Sequence, residues 1–375
     1  MVRLNSSKNE ALDRPLSVVH LVYSFNIGGL ERVIANLINS SDDKKVHHVI
    51  ITLVAENDFL SSLSKDISVY CLNKKPGNDF SSHMRLFNVL RKLRPDVLHS
   101  YNFGTIEYHI TAFFAHVTTR IHAEHGRDGE YDAQTRRRRT WVRKAVMPFL
   151  NFFVVVSPDL HQWAKEDLRI KEPKLQLVLN GIDTEAFGGG CIPFTSKTIT
   201  LITVGRLAPI KNQSLLISAF DHLIKSPSIA NTVKLIIVGE GPLHNELAEQ
   251  IKRQSLEDSV VLLGPRNDVQ ELLKQADIFV LSSDYEAMPM TVLEAMASGL
   301  PVICTDVGGV RNIVSDLQTG LLVPADNSVA LASAMKRAIE NQREMIAMAC
   351  RAKEAVDQKY SANAMKQRYE SLYGL

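Results

Sequence analysis

The stretch SVVHLVYSFNIGGLERVIANLIN, residues 17–39, decides the fold. Its first nine residues are rich in β-branched and aromatic side chains and predict a buried strand. Two glycines follow, and the segment 30–39 then repeats apolar residues at helical spacing. A second strand-like run, HHVIITLV at residues 47–54, comes after this helix. A strand, a helix and a further strand in this order predict a parallel sheet with helices on its faces.

The same alternation continues along the whole chain and restarts once. The second half opens with TITLITVGR (198–206) and VKLIIVGEG (233–241). Between the halves, FGGGCIPFTSK (187–197) has the Gly, Pro and Ser/Thr content that is typical of a linker. We therefore expect an α/β protein with two Rossmann-like parallel-sheet domains that face each other across a cleft. The predicted boundaries are an N-terminal domain at 1–187, a linker at 188–197, a C-terminal domain at 198–357, and a C-terminal helix at 358–375 that packs back on the N-terminal domain.

Composition places the chain among globular proteins. Of its 375 residues, 45% are hydrophobic and 22% are charged, which excludes a disordered or fibrous protein. The 43 Lys and Arg nearly balance the 41 Asp and Glu, and the net charge of +2 argues against a dedicated nucleic-acid-binding protein. No apolar run reaches the length of about 18 residues that a membrane-spanning helix needs. The first residues, MVRLNSSKNEALDRP, lack the apolar segment of a secretory signal.

The cysteines favour a reducing compartment. They are scattered along the chain, form no CxxC pair and have no histidines at metal-ligand spacing: Cys71, Cys191, Cys304 and Cys350. We therefore expect neither a zinc site nor a disulfide framework, and we expect the protein to be cytoplasmic.

Candidate binding residues follow the predicted strands, where the loops of a parallel sheet form its ligand crevice. Gly28 and Gly29 come after the first strand, and glycines at a helix start let the backbone approach a phosphate closely. A tight strand-to-helix turn explains the same pair without any ligand. The spacing GxGxxG is absent, which argues against a dinucleotide site and so against an oxidoreductase.

The segment RIHAEHGRDG (120–129) places several titratable groups at the end of another strand, including Arg127 and Asp128. A structural role is the better interpretation for His122, which lies within the strand. His125 is the better candidate for a ligand contact, because it is followed by a glycine where the chain turns. A neutral imidazole at this place can hydrogen-bond a sugar hydroxyl.

Two further motifs combine cations, carboxylates and a helix start. Arg206 and Lys211 follow the strand that opens the second half, where two cations can clamp a diphosphate. In DYEAMPMTVLEAMASG (284–299), Glu286 precedes a predicted helix and Glu294 lies on it, so both can hydrogen-bond the hydroxyls of one ligand. Solvated cations and exposed glutamates are the alternative interpretation. The helix start that offers backbone donors to a phosphate comprises Met288, Pro289, Met290 and Thr291.

A strong basic run lies at residues 136–139, RRRR, and is followed by Trp141, Arg143 and Lys144. One interpretation is a solvated helix face whose charge is partly balanced by nearby acidic residues. The other is adhesion to anionic lipid, with Trp141 at the interface. The sequence leaves both open.

Several blocks along the chain resemble glycosyltransferase family 4, also called group 1. The most specific block is SSDYEAMPMTVLEAMASGLPVICTDVGGV (282–310), and the others are GRLAPIKN (205–212), VGEGPL (238–243), TGLLVP (319–324), GGLER (28–32) and NGID (180–183). The N-terminal stretches HLVYSFNIGGLERVIANLIN (20–39) and AEHGRD (123–128) are similar to sugar transferases of bacterial exopolysaccharide gene clusters, including the PEP-CTERM-associated group.

The resemblance implies the GT-B fold, with the N-terminal domain on the acceptor side and the C-terminal domain binding a nucleotide sugar. It implies that Arg206 and Lys211 hold the donor diphosphate. It further implies that Glu294 binds the nucleotide ribose and that Glu286 binds the hydroxyls of the transferred sugar. Gly28 and Gly29 lie at the turn where the phosphate approaches, and His125 matches the histidine that contacts the donor hexose. Two positions depart from the family pattern, Ile210, where Glu is common, and Ala287, where Gly is common.

The activity implied by the resemblance is hexosyl transfer with retention at the anomeric carbon, in exopolysaccharide or other surface-polysaccharide biosynthesis. The expected donor is a UDP- or GDP-linked sugar, and the expected acceptor is a glycan or a lipid-linked hydroxyl. No metal, cofactor or nucleic acid is expected, and a peripheral contact with the inner face of an anionic cytoplasmic membrane is one option. No side chain can be nominated as the nucleophile of a double displacement, so same-face attack, with the leaving phosphate accepting the proton, is the implied route. A nucleotide-sugar epimerase of the same fold and a non-catalytic nucleotide-sugar-binding protein remain as alternatives.

Overall fold

The computed structural model describes residues 14–26, 28–126, 132–188, 190–191, 194, 198–227, 229 and 232–375. The chain divides into two compact units. One unit contains the residues up to Val155 together with Ala164–Gln176 and Arg368–Leu375, and the other contains Val156–Trp163 and Leu177–Gln367. Residues 189, 192–193 and 195–197 of the predicted linker lie outside the described residues, and the predicted domain boundaries stay a prediction.

The first unit is built on a seven-stranded sheet. Its strands are β1 (Leu16–Val22), β2 (Val46–Thr52), β3 (Ser68–Cys71), β4 (Val97–Tyr101), β5 (Thr119–Glu124), β6 (Phe152–Val155) and β7 (Leu175–Leu177). They lie in the order β3-β2-β1-β4-β5-β6-β7, and the pairs from β3 to β6 are parallel. The chain therefore reverses its direction of travel across the sheet between β1 and β4. Ligand crevices of open α/β sheets form at such a point, beyond the carboxyl ends of the strands.

The second unit repeats this arrangement with six strands. They are β8 (Thr198–Val204), β9 (Thr232–Val238), β10 (Val260–Gly264), β11 (Ile278–Leu281), β12 (Val302–Thr305) and β13 (Leu321–Val323). Their order is β10-β9-β8-β11-β12-β13, and all pairs are parallel. Here the crevice lies between β8 and β11. The strands β11 and β12 are buried along their whole length, as expected where helices cover both faces of a sheet.

The helices have apolar stripes that cover these sheets. In chain order they are α1 (Gly29–Ser40), α2 (Phe80–Leu93), α3 (Tyr108–Phe114), α4 (Ala133–Val146), α5 (Pro158–Glu166), α6 (Gln213–Ile224), α7 (His244–Arg253), α8 (Val269–Gln275), α9 (Met290–Ala297), α10 (Ser328–Glu340), α11 (Gln342–Lys359) and α12 (Ala362–Tyr373). The ends of α2 show how local sequence sets the bounds. Asp79 accepts a hydrogen bond from Ser81 N at 3.0 Å and caps its start, and Arg94 turns left-handed (φ 49°) just before Pro95.

One expectation about the cysteines is wrong. Cys191 and Cys350 form a disulfide, with their Cα atoms 5.6 Å apart although they are separated by 159 positions in the sequence. The chain near Cys191 lies against the end of α9, because a Cβ at Gly299 would come within 2.7 Å of Gly190 O. Sequence spacing carries no information about a contact of this kind, which depends on the tertiary fold. Cys71 and Cys304 are free thiols.

Candidate functional site

The crevice of the second sheet is bordered by the loops that follow β8 and β11. The first of these loops continues into a short 3₁₀ turn at Pro209–Lys211. Asn212 follows with a φ of 46°, and its side chain accepts a hydrogen bond from Leu215 N at 3.2 Å. This cap fixes both the end of the turn and the start of α6, and so determines where Lys211 leaves the loop.

Three hydrogen bonds tie the loop after β8 to the loop after β11. Asp284 N donates to Ile210 O at 2.9 Å, and Asn212 Nδ2 donates to Asp284 Oδ1 at 2.8 Å. Ser282 Oγ donates to Lys211 O at 3.0 Å. The loops that border the crevice are therefore fixed relative to each other.

Lys211 and Glu286 form an ion pair between these two loops. Lys211 Nζ lies 2.6 Å from Glu286 Oε1, and Ser283 Oγ donates to the same oxygen at 2.7 Å. Glu286 is only 7% exposed, whereas Lys211 is partly exposed. Burying a polar group is costly unless it has such hydrogen-bond partners. The sequence pointed to both residues as ligand contacts but gave no sign that they pair with each other.

Two glycines after β12 hold the backbone of the Glu286 loop. Gly309 N donates to Glu286 O at 2.8 Å, and a Cβ at Gly309 would run into Ala287 O. Gly308 has a φ of 44°, and a Cβ there would press on Glu286 O. The backbones approach so closely that only glycine fits. Sequence reasoning gave this pair no role, although two glycines shortly after a strand are a signal of close backbone approach.

The second predicted carboxylate lies on α9. This helix begins at Met290, and Glu294 lies on it while Glu286 lies in the preceding loop, as expected from the sequence. Glu294 is only 1% exposed, so the alternative of two exposed glutamates is wrong. The first amides of an α-helix lack an intrahelical acceptor, which leaves those of α9 available to an anion. The other residues of the predicted helix-start site are Met288 and Pro289, which are buried, and Thr291, which is partly exposed.

Arg206 is exposed, in contrast to Glu286. Its carbonyl oxygen accepts a hydrogen bond from Gln213 Nε2 at 3.0 Å. Its guanidinium has neither a hydrogen bond nor an ion pair with the part of the chain that the structure describes. The two predicted cations therefore lie on one loop, but only Lys211 is already paired with a carboxylate.

In the first unit, Gly28 is the N-cap of α1 and Gly29 is the first residue of this helix. Glu31 lies in the first turn of α1, and a Cβ at Gly28 would press on its carboxyl group. Burial raises the pKa of Glu31 to about 7. Gly28 thus lies against a carboxyl group that titrates near neutral pH, a feature that the sequence reasoning did not consider.

His125 follows β5 directly, and its backbone N–H donates to Asn102 Oδ1 at 2.9 Å. Both of its ring nitrogens are buried and have no hydrogen-bond partner among the described residues. Burial lowers the pKa of His125 to about 3, so the ring is neutral near pH 7. A neutral imidazole of this kind can donate one hydrogen bond and accept another.

His122 is a buried structural residue. Its Nδ1 lies 2.7 Å from Ser100 Oγ, and its Nε2 lies 3.4 Å from Glu124 Oε1. Glu124 in turn accepts a hydrogen bond from Arg143 Nε at 2.7 Å, and both members of this ion pair are buried. Residues 127 and 128, which the sequence grouped with them, lie outside the described residues.

A hydrogen-bonded chain of histidines and tyrosines is buried against the first sheet. His20 Nε2 lies 2.8 Å from His48 Nδ1, and His20 Nδ1 lies 2.8 Å from Tyr101 Oη. His99 Nδ1 lies 3.0 Å from Tyr101 Oη and 2.9 Å from Tyr373 Oη on α12. Burial lowers the pKa of all three histidines, that of His48 to about 3. Sequence reasoning missed this chain because its members come from separate strands and from the last helix.

The basic run lies on α4 and divides into two kinds of residue. Arg136, Arg137 and Arg138 are exposed, as is Trp141, with 72% of its surface accessible. The guanidinium of Arg139 instead lies over the ring of Phe103, 4.8 Å from its centroid. The exposed part of the helix is therefore both cationic and aromatic.

Within the described ranges, no helix is both long enough and apolar enough to cross a membrane. The same residues contain no cluster of three or more His, Cys, Asp or Glu side chains that could hold a metal ion. The site residues that the structure does bring together are a cation, a carboxylate, a hydroxyl and the start of a helix.

Comparison with known proteins places the chain among sugar transferases. The family model described as Glycosyltransferase Family 4 matches residues 27–186, and the one described as Glycosyl transferases group 1 matches residues 192–355. The chain is 28% identical over 295 residues to UDP-Gal:alpha-D-GlcNAc-diphosphoundecaprenol alpha-1,3-galactosyltransferase of Escherichia coli, covering 74% of each protein. It is 29% identical over 208 residues to the putative colanic acid biosynthesis glycosyltransferase WcaL of Salmonella typhimurium, covering 53% of this chain and 50% of that protein.

Among solved structures, Anabaena Alr3699/HepE in complex with UDP-glucose is similar in fold. The TM-score is 0.81 at 21% identity, with 96% of this chain and 100% of that chain covered. Together with the strand orders of the two sheets, this likeness confirms the fold predicted from the sequence.

Proposed function

Because the chain belongs to glycosyltransferase family 4, the glycosyl transferases of group 1, we propose that it moves a hexose from a nucleotide-diphosphate sugar to an acceptor hydroxyl. The observation that carries this proposal is the group formed by Lys211, Glu286 and Ser283 at the crevice of the second sheet. It sets a cation beside a buried carboxylate, and an activated sugar presents the complementary pair, an anionic diphosphate next to several hydroxyls.

In this proposal Arg206 and Lys211 bind the diphosphate. Lys211 exchanges Glu286 for phosphate oxygens when the donor enters, and Glu286 is then available to the hydroxyls of the transferred sugar. The amides at the start of α9 add hydrogen bonds to the phosphate, and Glu294 binds the nucleotide ribose. In the first unit, Gly28 and Gly29 bind the donor through their backbone, and His125 hydrogen-bonds the hexose.

The proposed reaction retains the configuration of the anomeric carbon. The acceptor hydroxyl attacks from the face that the diphosphate leaves, and the departing phosphate oxygen takes up the hydroxyl proton. Negative charge develops on the diphosphate during this step, so the groups that matter most are those facing it, Arg206, Lys211 and the helix amides. We propose that these groups supply the stabilisation without a metal ion, so turnover should survive excess EDTA.

We propose a UDP-sugar as the donor and a lipid-linked glycan as the acceptor. The nucleotide is supported by the UDP-glucose complex of Alr3699/HepE and by the UDP-Gal in the name of the Escherichia coli relative. The same relative acts on a diphosphoundecaprenol-linked sugar, and the relative from Salmonella typhimurium is named for colanic acid biosynthesis. These names support a proposed role in the synthesis of exopolysaccharide or another surface polysaccharide.

Thermal unfolding in the presence of candidate donors tests the proposal. The panel consists of UDP-glucose, UDP-galactose, UDP-N-acetylglucosamine, GDP-mannose and ADP-glucose. A true donor at about 100 times its Kd adds about 2.7 kcal/mol to the stability, which is a clear rise in Tm. The rise should be lost in Lys211→Ala and kept in Lys252→Ala, which removes an exposed cation of the same unit. A panel in which no UDP-sugar shifts the Tm would count against the proposal.

Product analysis separates transfer from the alternatives. With the donor identified, transfer to a lipid-linked sugar acceptor should yield a glycoside whose anomeric coupling constant in NMR matches that of the donor. Release of a rearranged free sugar without acceptor would indicate an epimerase instead. Donor binding without any turnover would indicate a non-catalytic binding protein.

We further propose that α4 brings the protein to an anionic membrane surface, where a lipid-linked acceptor is held. Arg137, Trp141 and Lys144 are spaced so that they share one helix face, and all three are exposed. Cations attract anionic headgroups, and an exposed tryptophan fits the interface between headgroups and acyl chains.

Flotation with liposomes containing phosphatidylglycerol tests the membrane contact. The protein should float with these vesicles and not with pure phosphatidylcholine. Replacing Arg136, Arg137 and Arg138 by Ala should abolish flotation. The control replaces three exposed cations of the other unit, Lys252, Arg253 and Arg343, and should float like the wild type. Equal flotation of both triple variants would refute the contact.

A further inference from the structure

We propose that Asn102 is a positioning residue for His125 and that it acts by holding the backbone at the end of β5. This inference rests on the proposed function for its consequence in catalysis, but its structural content concerns only the first unit. Asn102 is the first residue after β4, and His125 is the first residue after β5. The two strands are sheet neighbours, so the two residues lie at adjacent strand ends beside the crevice.

Asn102 joins the two strand ends through both its backbone and its side chain. Its N–H donates to Ala123 O at 2.8 Å, which continues the pairing of β4 with β5 by one residue. Its Oδ1 accepts a hydrogen bond from His125 N at 2.9 Å. Beyond the last backbone hydrogen bond between β4 and β5, the Asn102 side chain provides the next hydrogen bond between the two chain segments. This bond holds the peptide group of His125 in place.

The backbone of Asn102 is held in a conformation that non-glycine residues rarely adopt. Its φ is 58° and its ψ is 165°. The carbonyl oxygen of Asn102 accepts hydrogen bonds from Thr105 N and Thr105 Oγ1, each at 3.1 Å, and Thr105 Oγ1 also donates to Tyr101 O at 2.7 Å. Such a conformation persists only where the surroundings over-determine it, and it is a feature of sites whose geometry matters. Glycine adopts this backbone conformation at a lower energetic cost than asparagine. The presence of asparagine here therefore indicates that its side chain has a role.

The imidazole that Asn102 positions has polar atoms without a hydrogen-bond partner among the described residues. Both ring nitrogens of His125 are buried, and within the described chain neither has a hydrogen-bond partner. The ring packs against Tyr101, with the two centroids 5.8 Å apart. A buried imidazole with two unsatisfied polar atoms is costly unless a ligand satisfies them. Its value to a ligand depends on where the ring lies, and Asn102 determines this through the His125 peptide.

Two substitutions separate the hydrogen bond from the backbone conformation. Asn102→Gly keeps a residue that adopts φ 58° easily but removes the acceptor for His125 N. Asn102→Asp keeps an oxygen at the same place and should restore the bond. Circular dichroism confirms that each variant folds. A role in folding alone predicts that both variants behave like the wild type once they are folded.

The first readout is independent of activity. The ring C–H resonances of the histidines are recorded by heteronuclear NMR, and the His125 signals are identified as those missing in His125→Ala. We expect these signals to move in Asn102→Gly and to stay near their wild-type positions in Asn102→Asp at pH 8. Unmoved His125 signals in Asn102→Gly would overturn the inference, whatever the protein does to sugars.

The second readout uses slow hydrolysis of UDP-glucose as the probe. A group misplaced by about 1 Å can cost on the order of 10²-fold in rate, so kcat should fall tenfold or more in Asn102→Gly with little change in KM. The Asn102→Gly/His125→Ala variant should be no slower than His125→Ala, because Asn102 has nothing left to position. If the fall in kcat of the double variant equals the product of the falls in the two single variants, the inference is overturned. Wild-type kcat in His125→Ala would instead contradict the proposed role of His125 and leave the NMR result to decide on Asn102.

Discussion

At the scale of single residues, Lys211 is expected to contribute to both stability and turnover. In Lys211→Ala, Glu286 loses the cation 2.6 Å away and keeps the hydroxyl of Ser283. Lys211 is partly exposed and Glu286 keeps its hydrogen bond from Ser283, so the loss should cost about 1–3 kcal/mol, less than for a fully buried pair, and the variant should unfold at a lower temperature. Losing one charge-stabilising group at a leaving diphosphate costs about 10²-fold in kcat. Calorimetry and UDP-sugar consumption measure the two effects on the same sample.

A second substitution separates these two effects. Glu286→Gln removes the charge that Lys211 balances and keeps a side-chain oxygen for Ser283. The Lys211→Ala/Glu286→Gln variant should therefore regain most of the lost unfolding free energy without regaining turnover. Near-normal kcat in Lys211→Ala would remove the diphosphate clamp from the proposed function.

The positions of Lys211 and Glu286 could be predicted from the sequence, but their contact could not. Lys211 and Glu286 could be placed at the crevice because apolar runs mark where strands end. Their pairing could not be predicted, because it requires β8 and β11 to be neighbours, and the order of strands in the chain does not state this. The disulfide between Cys191 and Cys350 was missed for the same reason.

At the scale of elements, a buried ion pair joins α4 to β5. Arg143 Nε lies 2.7 Å from Glu124 Oε1, and neither side chain is accessible to water. Breaking a buried pair by removing one partner costs about 3–5 kcal/mol, because the remaining charge stays buried. Arg143→Ala should therefore lower the free energy of unfolding by this amount, measured by urea denaturation.

The helix itself provides the control for this prediction. Arg138 is an exposed residue of α4, and truncating an exposed side chain usually changes stability by no more than about 0.5 kcal/mol. Arg138→Ala should therefore unfold like the wild type. Equal destabilisation by both substitutions would mean that the cost does not come from losing the pair with Glu124.

Most strands and helices could be predicted from the sequence. Their arrangement in the fold could be predicted only in part. The alternation of apolar strands with amphipathic helices predicted two parallel sheets, and the strand pairing of both units confirms them. The sequence predicted that a C-terminal helix packs back on the N-terminal domain, but it did not predict which single residues meet there. The contact of α12 with β4, through Tyr373 and His99, joins residues that share no local pattern.

At the scale of the whole molecule, stability should fall as the pH drops below about 6.5, the ordinary pKa of an exposed histidine. Burial holds His20, His48, His99 and His109 neutral in the folded protein, with their pKa values well below this. Acid therefore protonates these residues in the unfolded chain before it does so in the folded one, and this favours unfolding. Each residue contributes about 1.4 kcal/mol per pH unit until its folded-state pKa is reached, about 3 for His48.

Glu31 acts in the opposite sense over part of this range. Its pKa is raised from 4.5 to about 7 in the folded protein, so the folded state binds a proton there that the unfolded state does not. Its contribution to stability is present below pH 4.5 and is lost as the pH rises through 7. Between pH 4.5 and 6.5, the change in unfolding free energy from Glu31 cancels about that from one buried histidine. The other buried histidines are not cancelled, so acid still lowers the stability of the protein.

Two adjacent histidines of β2 allow a matched test of this pH dependence. His48 is buried 2.8 Å from His20, whereas His47 is exposed. His48→Asn can keep a hydrogen bond to His20 while removing one titrating group, so the slope of unfolding free energy against pH between 4.5 and 6.5 should decrease by about 1.4 kcal/mol per pH unit. His47→Asn makes the same change of residue type at an exposed position and is the matched control. Urea denaturation at half-unit pH steps gives both slopes, and a wild-type slope in His48→Asn would mean that His48 is already protonated in the folded protein, against the direction that its burial dictates.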